Sequence, residues 1–222
     1  MTTIKQNIEE IRNSIPSHVK LVAVTKKKPV SVIQESWEAG QRLFGENRVQ
    51  ELSEKYNNLN SLPVEWHMIG HLQTNKVKFI APFVSLIQSV DSFKLLQEIS
   101  KEAVKNNRII PCLLQVYIAK EESKFGFNEQ ELFETLGSKE FNQFKGIKIS
   151  GLMGMATYTE NTDQVRSEFR SLNEIYYSVK KTFFSNDPDF CEKSMGMSGD
   201  YKIAIEEGST MIRLGSILFG NR

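Results

Sequence analysis

The sequence has almost no excess charge of either sign. Lys and Arg number 28 against 27 for Asp and Glu, a formal net charge of +1, so no bulk field draws the chain towards nucleic acid or an anionic membrane. It lacks any run approaching the roughly 18 apolar residues that a membrane helix requires. Its first fifteen residues, MTTIKQNIEEIRNSI, are charged and periodic and carry neither the apolar core nor the small-residue cleavage site of an export signal. A cytoplasmic protein is the expectation. Cysteine is scarce: Cys112 and Cys191 lie in or beside apolar runs without CxxC spacing, which reads as two buried free thiols in a reducing compartment. His67 and His71 are four apart on a strand and loop rather than on a helix, so they do not make the HExxH zinc arrangement, and no metal site is expected. There is no Pro/Ser/Gly-rich linker, no repeat and no low-complexity tract. Residues 1–222 therefore read as a single domain, long enough to bury a substantial core.

What the sequence does contain is an alternation. Ile4, Ile8, Ile11 and Ile15 recur at helical spacing and stop at Pro16, predicting an extra N-terminal helix. Eight short apolar runs then read as strands: VKLVAVTK, RLFGEN, VEWHMIG, VSLIQSV, IIPCLLQVYI, IKISGLMGM, EKSMGMS and MIRLGSILFG. Segments of helical character separate them, at 31–40, 93–107, 128–138 and 163–184, with a short one at 200–207. Strands that are apolar along their length suit a parallel sheet covered on both faces. Eight such units predict an α/β fold, a (β/α)8 TIM barrel rather than a doubly wound sheet. No GxGxxG follows the first strand, which also counts against a dinucleotide-binding fold.

In such a barrel the site lies at the C-terminal ends of the strands. Those ends carry Thr25-Lys26, Gly45-Glu46-Asn47, Gly70-His71, Met153-Gly154-Met155, Ser194 to Asp200, and Arg213 to Ser216. Amines, a guanidinium, amides and small residues would converge on one mouth, with nothing resembling a metal cage.

Six motifs in order, AVTKKKP, FGENRVQE, WHMIGHLQTNK, GLMGM, SMGMSGD and GSTMIRLG, resemble the pyridoxal phosphate homeostasis protein family, a relative of the N-terminal barrel of alanine racemase. The match runs from residue 4 to the end. The resemblance implies a barrel of the third PLP fold type, with pyridoxal 5'-phosphate (PLP) held as a Schiff base, an internal aldimine. The residues alone leave the reactive lysine open between Lys26 and Lys28. Lys26 shares a strand face with Val22 and Val24, Lys27 points the other way, and Lys28 has the right parity but stands beside Pro29. The family motif assigns the role to Lys26. That chemistry requires a neutral amine, whereas a free lysine titrates at about 10.4; desolvation and neighbouring cations, Arg213 among them, would disfavour the ammonium.

The remaining candidates follow. SMGMSGD would supply Ser194, Gly196, Met197 and Ser198 around the phosphate, with Asp200 capping the next helix, and Gly215 and Ser216 would complete the cradle from strand eight. In the racemase relatives an arginine at the position of Arg213 faces the pyridine nitrogen. Arginine only donates, so the ring stays unprotonated and is a poorer electron sink, which argues against aminotransferase or decarboxylase chemistry. Asn47 is placed near the ring or its phenolic oxygen. Met153 and Met155 are expected to pack on the ring, and Glu46 either orients a neighbour or is structural.

The expectation is a PLP carrier acting in intracellular PLP homeostasis, without strong catalysis of its own, monomeric, with apo-PLP enzymes as further partners. The alternative is a PLP-dependent amino-acid racemase, which needs a base on each face of the carbanion. Alanine racemases take the second, a tyrosine, from a β-domain of a partner subunit. That domain is expected to be absent, since the chain ends at Arg222; Tyr158 is a weak substitute. A phosphate-binding barrel enzyme without PLP is the third reading.

Overall fold

The structure is a computed structural model that describes residues 3–119 and 125–220. Helix α1 (Ile4–Ser14) opens on a capping box in which Thr3 accepts from the Gln6 amide and the Gln6 side chain accepts from Thr3, and it ends just before Pro16. Eight strands follow: β1 (Lys20–Val24), β2 (Leu43–Glu46), β3 (Glu65–Met68), β4 (Leu86–Val90), β5 (Ile110–Gln115), β6 (Ile147–Met153), β7 (Glu192–Ser194) and β8 (Met211–Leu214). Each pairs in parallel with the next, and β8 returns to β1 with Val22 opposite Arg213, closing the barrel. This is the expected (β/α)8 architecture.

Between the strands run α2 (Val30–Glu38), α3 (Val49–Asn58), α4 (Val77–Ile80), α5 (Phe93–Lys105), α6 (Glu129–Gly137), α7 (Thr162–Phe183) and α8 (Tyr201–Glu206). Side-chain alternation sorts each strand. Outward residues such as Phe44, Trp66, Met68 and Ile87 join the large core under the helices. Inward, Val22, Leu86, Leu113, Met153 and Met211 make a small apolar plug. At the floor Lys20 pairs with Glu192.

Three expectations change. The last apolar run is not one strand: β8 stops at Leu214, and Ser216–Phe219 forms a short helix, α9, whose Leu218 is buried and whose carbonyl accepts from Asn7 Nδ2 at 2.9 Å. Helices α3 and α4 lie in segments not read as helical. Cys191 is exposed rather than buried; only Cys112 sits inside the core, where burial drives its thiol pKa far up. Strand β6 carries one extra residue, Ser150, against β5; at the next position, Gly151 (φ +151°), a Cβ would stand 1.8 Å from the Glu192 carbonyl oxygen of β7, so only glycine fits. Among the described residues no helix is long and apolar enough to cross a membrane, and no three His, Cys, Asp or Glu side chains gather as a metal site would require.

Candidate functional site

A cavity of about 930 Å³ opens at the C-terminal ends of the strands, within the range of small-molecule sites. Strand β1 delivers the first wall residue. Its ladder ends when the Thr25 amide donates to the Gly45 carbonyl at 3.1 Å; the chain then turns, with the Lys28 amide bonded back to the Thr25 carbonyl at 2.9 Å. Lys27 occupies a left-handed conformation at φ +62°. The turn, rather than simple strand parity, puts both Lys26 and Lys28 on the cavity wall and Lys27 in solvent. Lys28 Nζ donates to the Phe219 carbonyl at 3.0 Å. Lys26 is half-buried.

Arg213 reaches the same cavity from β8 and is 4% exposed, not a surface arginine. Nη1 donates to Ser194 Oγ at 2.6 Å and Nη2 to the Gly154 carbonyl at 3.1 Å. Burial pushes its pKa down to about 10, with Asp200 opposing, so it stays a cation at neutral pH. The chain of hydrogen bonds continues inward. Ser194 Oγ donates to Gln88 Oε1 at 2.6 Å, and Gln88 Nε2 lies 2.9 Å from His67 Nδ1 and 3.2 Å from Met211 Sδ. Burial, helped by Lys20, drives the His67 pKa down to about 3, so the imidazole is neutral. Because the Gln88 amide nitrogen only donates, Nδ1 is the acceptor and Nε2 carries the proton, an assignment made from the network.

The β7 and β8 loops close the other side. Gly196 sits at φ +97°, where a Cβ would come within 2.6 Å of Ala204 Cβ, and its carbonyl accepts from the Arg213 amide at 3.0 Å. Ser198 Oγ accepts from the Gly215 amide at 3.3 Å, joining the two loops. Asp200 does not cap α8 with its side chain. It turns back instead and accepts from the Met197 amide at 2.5 Å, holding the loop; burial raises its carboxyl above the usual range. On the β6 side Glu168 of α7 accepts from the Thr157 amide and hydroxyl at 2.7 and 2.8 Å.

Lys26, Asn47, Met197, Ser198, Arg213, Gly215 and Ser216 all line this one cavity, as does Met155. Three expected contacts do not. Met153 is sealed in the apolar plug, Ser194 at the end of β7 lies under Arg213 and orients it, and Gly196 in the loop beyond β7 faces α8. His71 is exposed, 2.8 Å from Asp91 Oδ2 and with its ring 4.5 Å from that of Phe125. Gln88, Glu51 and Lys55 were missed, because a lone polar residue in a strand and charges on a helix give no signal until their tertiary partners are known.

The cavity fits an anionic, phosphorylated ligand. Lys26, Lys28 and Arg213 stand around it against a single lining carboxylate, Asp200, among the described residues. Gly199 faces open space, where an added Cβ would meet nothing within 4 Å, so its loop backbone is approachable. Asn47 Oδ1 is buried without a hydrogen-bond partner, an acceptor on the wall that a ligand donor would satisfy.

Fold and site together define a parallel eight-stranded barrel with a cationic, lysine-bearing mouth. A family model described as "Alanine racemase, N-terminal domain" matches residues 1–222. The chain is 43% identical to the pyridoxal phosphate homeostasis protein of Aquifex aeolicus, over 91% of this chain and 87% of that protein. It is 35% identical to the one from Vibrio alginolyticus, over 100% and 99%. The chain belongs to the pyridoxal phosphate homeostasis protein family, within the wider group of alanine racemase N-terminal domains. Among solved structures it resembles PipY of Synechococcus elongatus with PLP bound, at 33% identity and TM-score 0.89 over 98% of this chain and 100% of that one. An alanine racemase from Clostridium difficile, 16% identical at TM-score 0.78, shares the fold over 99% of this chain but 57% of its own.

Proposed function

We propose that the barrel mouth binds PLP covalently through Lys26 and that the protein carries the cofactor in intracellular PLP homeostasis rather than turning over a substrate. The observation that carries this reading is the pairing of Lys26 with a buried, hydrogen-bond-locked Arg213 on one cavity. When bound, PLP supplies an aldehyde that condenses with a lysine amine, forming one C=N bond and releasing one water.

Lys26 presents the amine. The Ser198 and Ser216 hydroxyls and the approachable backbone at Gly199 would offer donors to the phosphate. Arg213, having no acceptor, would leave a pyridine nitrogen placed against it unprotonated. Asn47 on the same wall would stand near the ring or its phenolic oxygen, and Met197 and Met155 would pack against the ring. PipY, solved with PLP bound, and relatives named for PLP homeostasis support the assignment. A racemase would need a second base; Tyr158, the tyrosine on this wall, is 97% exposed, a poor setting for tuned proton transfer. We read residues 1–222 as one cytoplasmic, monomeric unit that hands PLP to apo-PLP enzymes.

The test is loading followed by exchange. Stoichiometric PLP should give a visible absorbance band that Lys26→Ala abolishes, and amino acids incubated with the loaded protein in deuterated water should keep their α-protons. An unchanged band in Lys26→Ala would refute the attachment site, and rapid α-proton exchange would refute the carrier role.

A further inference from the structure

Lys26 stands between two residues that are gripped from outside the barrel. On one side Thr25 donates its hydroxyl to Glu46 Oε1 at 2.6 Å, and its carbonyl accepts from Lys55 Nζ at 2.7 Å. On the other, the Lys27 amide donates to Glu51 Oε1 at 2.5 Å. The three grips are a single cluster, because Lys55 Nζ also donates to Glu46 Oε1 and to Glu51 Oε1, both at 2.7 Å. Glu46 ends β2, while Glu51 and Lys55 sit one turn apart on α3.

This cluster is an expensive way to gain stability. The Lys55 and Glu46 side chains are 6% and 0% exposed, and a buried ion pair returns little over well-packed apolar residues. Glu46 Oε2 has no partner at all. Burial raises the Glu46 carboxyl pKa above its ordinary range despite Lys55 and Thr25. What the cluster does hold is main chain. Lys27 at φ +62° is in a conformation that a non-glycine residue keeps only where its surroundings enforce it.

We infer that Glu46, Lys55 and Glu51 are positioning residues that set the β1–α2 turn so that the Lys26 amine meets its ligand's aldehyde. They touch no ligand and exchange no proton with the condensation; they act through the backbone on either side of Lys26. The inference rests on the reading that Lys26 bonds PLP.

The experiment compares PLP with deoxypyridoxine phosphate, which has a methyl group where PLP has its aldehyde and so binds without a covalent bond. Both are titrated into the wild type, Glu46→Gln/Lys55→Met, Thr25→Val and Thr25→Ser. The double substitution removes both buried charges together, and Thr25→Val removes one grip while leaving the ion pair intact should the double variant not fold. Apparent PLP affinity should fall about tenfold or more in the double variant and in Thr25→Val, as misplacement of a reacting group implies. Affinity for the methyl analogue should stay within about twofold, and Thr25→Ser should retain the wild-type ratio. An unchanged ratio of the two affinities, or equal loss of both, would overturn the positioning role. Failure of the wild type to form a borohydride-reducible bond at Lys26 would instead overturn the parent reading, before any variant is compared.

Discussion

Two buried polar systems meet near β1, on opposite faces of the barrel wall, and they are built differently. Inside, Arg213, Ser194, Gln88 and His67 form a chain that starts at a cation and ends on a neutral imidazole. Every link has one possible direction of donation, so the chain orients a guanidinium without adding a second charge. Outside, Glu46, Lys55 and Glu51 form a compact ionic knot with its side chains turned towards backbone. The inner system aims a side chain that faces the cavity; the outer one shapes the turn that carries another. The difference shows how the two halves of one site are held by separable means.

The comparison breaks most visibly at Lys55. Lys55→Ala would strand Glu46 without a counter-charge, and losing one partner of a buried pair costs about 3–5 kcal/mol; chemical denaturation should show that loss. Gln88→Leu cuts the neutral chain and leaves the Ser194 hydroxyl proton and His67 Nδ1 without their partners, at about 1–3 kcal/mol, measured in the same way. A drop for Gln88→Leu as large as that for Lys55→Ala would contradict the contrast between neutral and ionic networks.

A smaller, pH-dependent effect belongs to the inner chain alone. The folded pKa of His67 is lowered to about 3, while the unfolded value is about 6.5. The unfolded chain therefore binds more protons between those limits, so His67 contributes stability that is fully present above about pH 6.5 and drains away as pH falls towards 3. His67→Gln keeps a hydrogen-bonding group and should flatten the melting temperature against pH in that window. An identical acid slope in wild type and variant would remove His67 from the account.

How much of this was visible beforehand follows from what periodicity records. Apolar runs report which faces are buried, and they marked all eight strands and the ends that form the mouth. Lys26 was singled out by its motif and Arg213 by apolar flanks. Nothing local distinguishes Lys55, whose partners Thr25 and Glu46 lie thirty and nine residues away, in a segment that gives no helical signal of its own. Asp200 resembled a cap in sequence, yet its backbone (φ −139°, ψ 2°) turns the carboxylate onto its own loop. Cys191 adjoins an apolar stretch but points outward. Met153 and Ser194 lie off the cavity wall, Met153 in the apolar plug and Ser194 under Arg213, because a strand's last residues alternate in depth and sequence alone does not say which of them reach the mouth.

Peptide mapping after borohydride reduction of the PLP-loaded protein bears most directly on the assignment. A single pyridoxyl-labelled peptide containing Lys26 is the predicted outcome; label on Lys28, on any other side chain, or on none would contradict it.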